Sequence, residues 1–152
     1  MRVYRLVHAI YAKDLTGEGA RLHGGRWNHI GSPCIYASES RSLAVLELSV
    51  NVNLQRILRN LSMVEIEIPD DIHEIATSSL PGNWRDAPAP SSTKDFGSRL
   101  LQLCEHAVIK IPSSVVPEEF NYLINPLHPL NATCKVVKAA DFIYDIRIKT
   151  AE

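Results

Sequence analysis

Basic runs are missing from this chain: no stretch of Lys and Arg exceeds two residues, and the formal net charge is -1. A nucleic-acid binder ordinarily carries a basic stripe, so direct DNA or RNA binding is not expected. No apolar stretch approaches the length of a membrane span, and the N-terminus has no apolar signal core, so neither a membrane nor export is expected. Cysteine is scarce: Cys34, Cys104 and Cys134 lie far apart, odd in number and without a C-x-x-C pair. That excludes a disulfide framework and a structural zinc site, and fits a reducing, cytoplasmic setting. The six histidines form neither H-E-x-x-H nor an i, i+4 pair, so no metal is expected. There is no G-x-G-x-x-G, no G-K-[ST] and no G-x-S-x-G, which removes the Rossmann turn, the phosphate-binding P-loop and the hydrolase nucleophile elbow.

What remains is a chain of 152 residues with 45% hydrophobic content, enough for one core and one domain over residues 1–152. Residues 2–8 alternate like a strand, and 12–33 form a long Gly-rich loop. A short strand follows at 34–37. Ser38 or Ser40 is suited to cap a helix over 41–51, because a serine hydroxyl satisfies a free amide of the first turn. Residues 63–68 alternate strictly as a half-buried strand. Residues 78–93 read as loop around Trp84, 94–106 as a helix, and 107–111 as a strand stopped by Pro112. Residues 112–131 are proline-rich and irregular, and 134–138 and 142–148 read as strands. Strands with two main helices and no regular β-α-β alternation predict an α+β fold.

Two residues stand out chemically. Arg26 sits in Gly-Gly-Arg-Trp-Asn, where glycines let the backbone approach a ligand and a guanidinium offers a fork for phosphate. The competing reading is a loop arginine tied to a carboxylate or a helix end. Glu47 lies in Leu-Ala-Val-Leu-Glu-Leu-Ser-Val, an almost wholly apolar helix, where a carboxylate must be paired, protonated or turned into a cavity. Its plain alternative is an ion pair with Arg5, Arg26 or Arg41. Together the two suit a phosphorylated, positively charged sugar compound. Tyr36, on the strand between them, is either a stacking platform or a core tyrosine. Ser113 follows a strand and a proline, as a ligand hydrogen-bonder or a turn serine. Asn121, Asn125 and His128 read as turn formers, and Trp27 and Trp84 as core or loop anchors.

These segments, taken in order, resemble the RES domain: Gly-Gly-Arg-Trp-Asn-x-x-Gly, Ile-Tyr-Ala-Ser, an apolar helix with Leu-Glu, and Pro-Ser-x-Val-Val-Pro-x-x-x-Asn-Tyr-Leu-x-Asn-Pro-x-His-Pro. The resemblance runs from Tyr4 to Arg147. It implies an ADP-ribosyltransferase-like fold, with a mixed, split β-sheet and flanking helices, and NAD as substrate rather than a resident cofactor. It implies a bacterial toxin that depletes NAD by cleaving the nicotinamide–ribose bond, with water or phosphate as acceptor. A protein ADP-ribosyltransferase is the alternative within the same chemistry, and a non-catalytic antitoxin-binding module the alternative outside it. The implied partner is a helix-turn-helix antitoxin, in complexes where the toxin forms a homodimer. Arg26 matches the motif arginine, Glu47 the glutamate and Ser113 the serine, with Ser114 as its neighbour of the same type. Tyr36 matches a tyrosine on the nicotinamide side.

Overall fold

The computed structural model describes residues 1–53 and 59–149. Its strands are β1 (Arg2–His8), β2 (Ile35–Ser38), β3 (Leu61–Glu67), β4 (Ile72–Glu74), β5 (Val108–Pro112), β6 (Phe120–Ile124) and β7 (Lys135–Phe142). The α-helices are α1 (Glu18–His23), α2 (Arg41–Asn51) and α3 (Ser91–Leu103). The strands form one seven-stranded sheet in the order β4-β5-β6-β2-β1-β3-β7. Only β4 and β5 run parallel, so the sheet is mixed and the fold α+β.

The pairing is uneven at the centre. β1 pairs with β3 along its full length, from Arg2↔Glu67 to His8↔Leu61. With β2 it shares a single paired position, Tyr4↔Ser38. The sheet therefore splits between β1 and β2, which is the split sheet expected of the fold.

Side chains alternate across the strands and sort the core into two faces. Val3, Ile35, Ala37, Val64, Ile66, Tyr122 and Ile124 pack on one face. The other face carries two clusters. Leu6, Leu61 and Met63 pack under α2 through Ala44 and Val45. Ile109, Ile111 and Leu123 pack under Leu101 of α3 with Trp27, Leu80 and Trp84. Between these two clusters lie Tyr36, Ser38 and Asn121, and a cleft opens over them.

α2 occupies its expected span, and Ser40 is its cap, accepting from the Leu43 amide at 3.1 Å. Elsewhere the structure corrects the sequence reading. The 12–33 loop contains α1, a short helix bounded by Gly17 and Gly24. The second main helix lies three residues earlier than expected: it starts directly after Pro90, and Cys104 in the left-handed conformation stops it. The irregular stretch 112–131 contains β6, a central strand. Phe-Asn-Tyr-Leu-Ile is buried at its last three residues on both faces, so it shows no clean alternation. The short strand β4 was not anticipated. The two expected C-terminal strands become one, β7, ending at Phe142. Past it the alternation of Tyr144, Ile146 and Ile148 is not strand: the Asp145 carboxylate accepts from the Arg147 amide, and the chain turns into a 3-10 helix over Ile146–Lys149.

Candidate functional site

The glycines around Arg26 shape a compact loop. Gly24 ends α1 with φ +70, a conformation that favours glycine, and a side chain on Gly25 would lie 2.7 Å from the Tyr36 hydroxyl. Asn28 is fully buried and acts as the hub of the loop. Its Nδ2 donates to the carbonyls of Ala20 and Ser32, at 2.8 and 2.9 Å, and its Oδ1 accepts from the Tyr36 hydroxyl at 2.6 Å. The Tyr36 oxygen in turn accepts from the Trp27 amide at 3.0 Å. Burial pushes the Tyr36 phenol well above its ordinary value; Cys34 adds to the shift and the Trp27 amide opposes it. Trp27 is buried and stacks on Trp84 with ring centroids 6.2 Å apart. Both tryptophans are anchors, as expected.

That scaffold fixes Arg26. Its Nη1 donates to the carbonyls of Trp84 and Asp86, each at 2.8 Å. Among the described residues no carboxylate pairs with it, and its Nη2 and Nε are left to the cleft it lines. Among the described residues the guanidinium is held by these backbone carbonyls alone.

Glu47 is half-buried and is likewise held by neutral groups. Its Oε1 accepts from the Ser113 hydroxyl and from Asn121 Nδ2, both at 2.6 Å. The three arginines weighed as ion-pair partners are engaged elsewhere. Arg41 pairs with Glu65 at 2.9 Å and covers the Tyr4 ring, and Arg26 holds the Trp84 loop. Arg5 donates Nη2 to the carbonyls of Tyr11 and Asp14, at 2.7 and 2.6 Å.

Arg26, Tyr36 and Glu47 line one cleft of about 460 Å³. Its floor includes Tyr4, Ser38 and Asn121, and its walls come from α1, the Arg26 loop and α2. The volume lies within the usual range for small-molecule sites. Ser113 is placed differently from a ligand hydrogen-bonder. Its side chain is fully buried behind Glu47, and its hydroxyl accepts from the amides of Val115 and Val116, at 3.0 and 3.1 Å. With those two donors in place, its single proton goes to Glu47. Ser114, its neighbour, lines the cleft instead.

The sequence reading missed three contributors. Asn121 is not a turn former but a β6 residue aimed at Glu47; the hidden strand concealed it. Ser38 reads in the sequence as a candidate helix cap, yet its hydroxyl donates to Asn121 Oδ1 at 2.7 Å. Arg5 lines the cleft from β1, and among the described residues its buried Nε has no partner. Burial draws its guanidinium below the ordinary value, against the opposing pull of Asp14.

Comparison with known proteins gives the family of the chain. Residues 2–145 match the RES domain. The chain is 42% identical over 141 residues to the Prs ADP-ribosylating toxin of Sphingobium sp. (strain YBL2), covering 90% of this chain and 88% of that protein. It is 40% identical over 152 residues to Toxin Res of Yersinia enterocolitica, covering 98% and 100%. The crystal structure of the M. tuberculosis MbcT-MbcA toxin-antitoxin complex contains a chain of the same fold, with a TM-score of 0.72 and 18% identity over 93% of this chain and 84% of that one. With the family match spanning nearly the whole sequence, the chain belongs to the RES domain family.

Proposed function

We propose that this protein is the toxin of a bacterial toxin–antitoxin pair and that it cleaves the nicotinamide–ribose bond of NAD. One observation carries the reading: a carboxylate, Glu47, and a guanidinium, Arg26, line the same cleft, and among the described residues each is fixed by neutral groups and not by an opposite charge. A carboxylate already satisfied by a cation has little field left for a developing one. Among the described residues Glu47 has no such cation.

The chemistry then follows from NAD itself. Its nicotinamide is a cationic leaving group and needs little acid help. The C–N bond breaks, its electron pair leaves with neutral nicotinamide, and the ribose becomes oxocarbenium-like, as in glycoside cleavage. Glu47 stabilises that charge and binds a ribose hydroxyl, and a preorganised carboxylate does so without reorganisation at the moment of reaction. Arg26 holds the phosphates and so positions the ribose. Tyr36 stacks beside the nicotinamide, and Ser113 orients Glu47 from behind. An acceptor oxygen or nitrogen then adds to the ribose carbon and releases its proton.

The acceptor divides two readings. Water or phosphate makes the protein an NAD-depleting enzyme, the reading we favour. The relative named an ADP-ribosylating toxin, 42% identical, favours a protein acceptor. Purified protein given NAD alone separates them. Release of nicotinamide at a steady rate supports depletion. Consumption only with an acceptor protein, and label moving to it, supports transfer. A toxin also needs an antitoxin; co-expression with a helix-turn-helix partner should restore growth of cells that the toxin arrests. The toxin is expected to act in the cytoplasm, as a homodimer within the antitoxin complex.

A further inference from the structure

The floor of the cleft contains a chain of oriented hydrogen bonds with no part in the core. Ser38 ends β2 and faces Asn121 of β6 in register, and both side chains lie on the face that Glu47 covers. Ser38 Oγ donates to Asn121 Oδ1 at 2.7 Å, and Asn121 Nδ2 donates to Glu47 Oε1 at 2.6 Å. The direction of this chain is fixed. An Asn121 amide turned the other way would set its oxygen 2.6 Å from a carboxylate oxygen, acceptor against acceptor. Ser113, whose proton is also committed, supplies the second donor to the same Oε1. Both donors converge on one oxygen, and among the described residues Oε2 has none.

We propose that Ser38 and Asn121 are positioning residues that fix which oxygen of Glu47 meets the substrate: Oε1 is anchored by Asn121 and Ser113, and Oε2 is the atom presented to the ribose. This rests on the reading of Glu47 as the reacting carboxylate. A carboxylate on a flexible side chain otherwise rotates, and its average field at the reacting carbon falls with each unproductive orientation it populates. Ser38 acts one step further back. Its hydroxyl satisfies the Asn121 oxygen, which holds the amide plane so that its nitrogen stays on Glu47.

The test compares Asn121→Ala, Ser38→Ala, Ser38→Thr and the Ser38→Ala/Asn121→Ala double variant. Nicotinamide release from NAD should fall about 10- to 100-fold in kcat for Asn121→Ala, the scale of one hydrogen bond to a charged group, with KM little changed. Ser38→Ala should fall less, and Ser38→Thr, which keeps the hydroxyl, should recover. The double variant should be no worse than Asn121→Ala, because Ser38 works only through Asn121. A second readout needs no reaction: the side-chain amide signals of Asn121 in the 15N spectrum should be exchange-protected in the native protein and lose protection in Ser38→Ala. Independent, multiplying losses in the double variant, or unchanged Asn121 signals in Ser38→Ala, would overturn the relay. If the native protein releases no nicotinamide while the amide signals behave as described, the relay stands and the reading of the reaction fails.

Discussion

Gly97 of α3 stands against Trp27 so closely that a Cβ on it would lie 2.0 Å from the Trp27 carbonyl oxygen. This contact explains a glycine in the middle of a helix, where glycine is otherwise unfavourable. It also seats the residue next to Arg26 against α3 and couples the loop to the second core cluster.

Replacing that glycine should therefore disturb the site from a distance. Gly97→Ala should lose about 3 kcal/mol of stability through overpacking, despite its better helix propensity, and weaken the hold on Arg26. Urea denaturation gives the first number and nicotinamide release the second. A variant as stable as the native protein would show that α3 yields freely at this point.

Tyr36 gives a prediction in pH. Its buried phenol resists ionisation, so the folded state holds the proton to higher pH than the unfolded chain does, whose tyrosines titrate near 10.0. The associated stability is full below about pH 10 and is lost as pH rises toward the raised folded value. Tyr36→Phe should cost about 1–2 kcal/mol at neutral pH, because the Trp27 amide and Asn28 Oδ1 lose a partner. Its stability should then fall less steeply than the native protein's between pH 10 and 11 on the same denaturation measurement, a window set by the unfolded value. Parallel curves would remove Tyr36 as a source of the alkaline loss.

The C-terminal segment clamps the helix that carries Glu47. The Tyr144 hydroxyl lies 2.6 Å from Ser49 Oγ in a buried contact, and Lys149 Nζ donates to the Ser49 and Val52 carbonyls, each at 2.5 Å, where α2 ends. A cation there satisfies free carbonyls and suits the helix dipole. Tyr144→Phe should cost about 1–2 kcal/mol and Lys149→Met about 1 kcal/mol. Hydrogen exchange of the last-turn amides of α2 should quicken in both. Unchanged exchange would make the segment a passive tail.

Arg26 separates anchoring from ligand binding. Its Nη1 is spent on Trp84 and Asp86, so only the rest of the guanidinium serves a phosphate. A lysine cannot reach both with one ammonium. Arg26→Lys should lower kcat/KM for NAD about 10- to 100-fold, mainly through KM, and Arg26→Ala by at least ~100-fold. Steady-state nicotinamide release checks both, and a lysine variant of native KM would contradict the shared role.

Local chemistry made much of this legible before any coordinates. An apolar helix interrupted by Glu47 and glycines around Arg26 are departures from the pattern their neighbours set, and the structure puts both on one cleft. Ser40 as helix cap was visible for the same reason. The misses have one physical source. β6 lies centrally in the sheet and is buried on both faces, so it shows no alternation, and the prolines around it suggested irregular chain. With β6 went Asn121, whose role depends on pairing with β2, more than eighty residues away in sequence. Ser113 was placed at the right strand end, but only packing shows that it lies behind the carboxylate instead of in the cleft. The alternation past Phe142 misled because Tyr144 is buried by packing into the cluster under α2, with its hydroxyl on Ser49, and not by strand pairing.

The most direct measurement is single-turnover release of nicotinamide from NAD by Glu47→Gln. Glutamine keeps the shape and still accepts from Ser113 and Asn121, so the fold and NAD binding should persist while the negative charge is gone. The expected rate is at least ~100-fold below that of the native protein, with NAD still bound. Release at the native rate by the folded variant would contradict it.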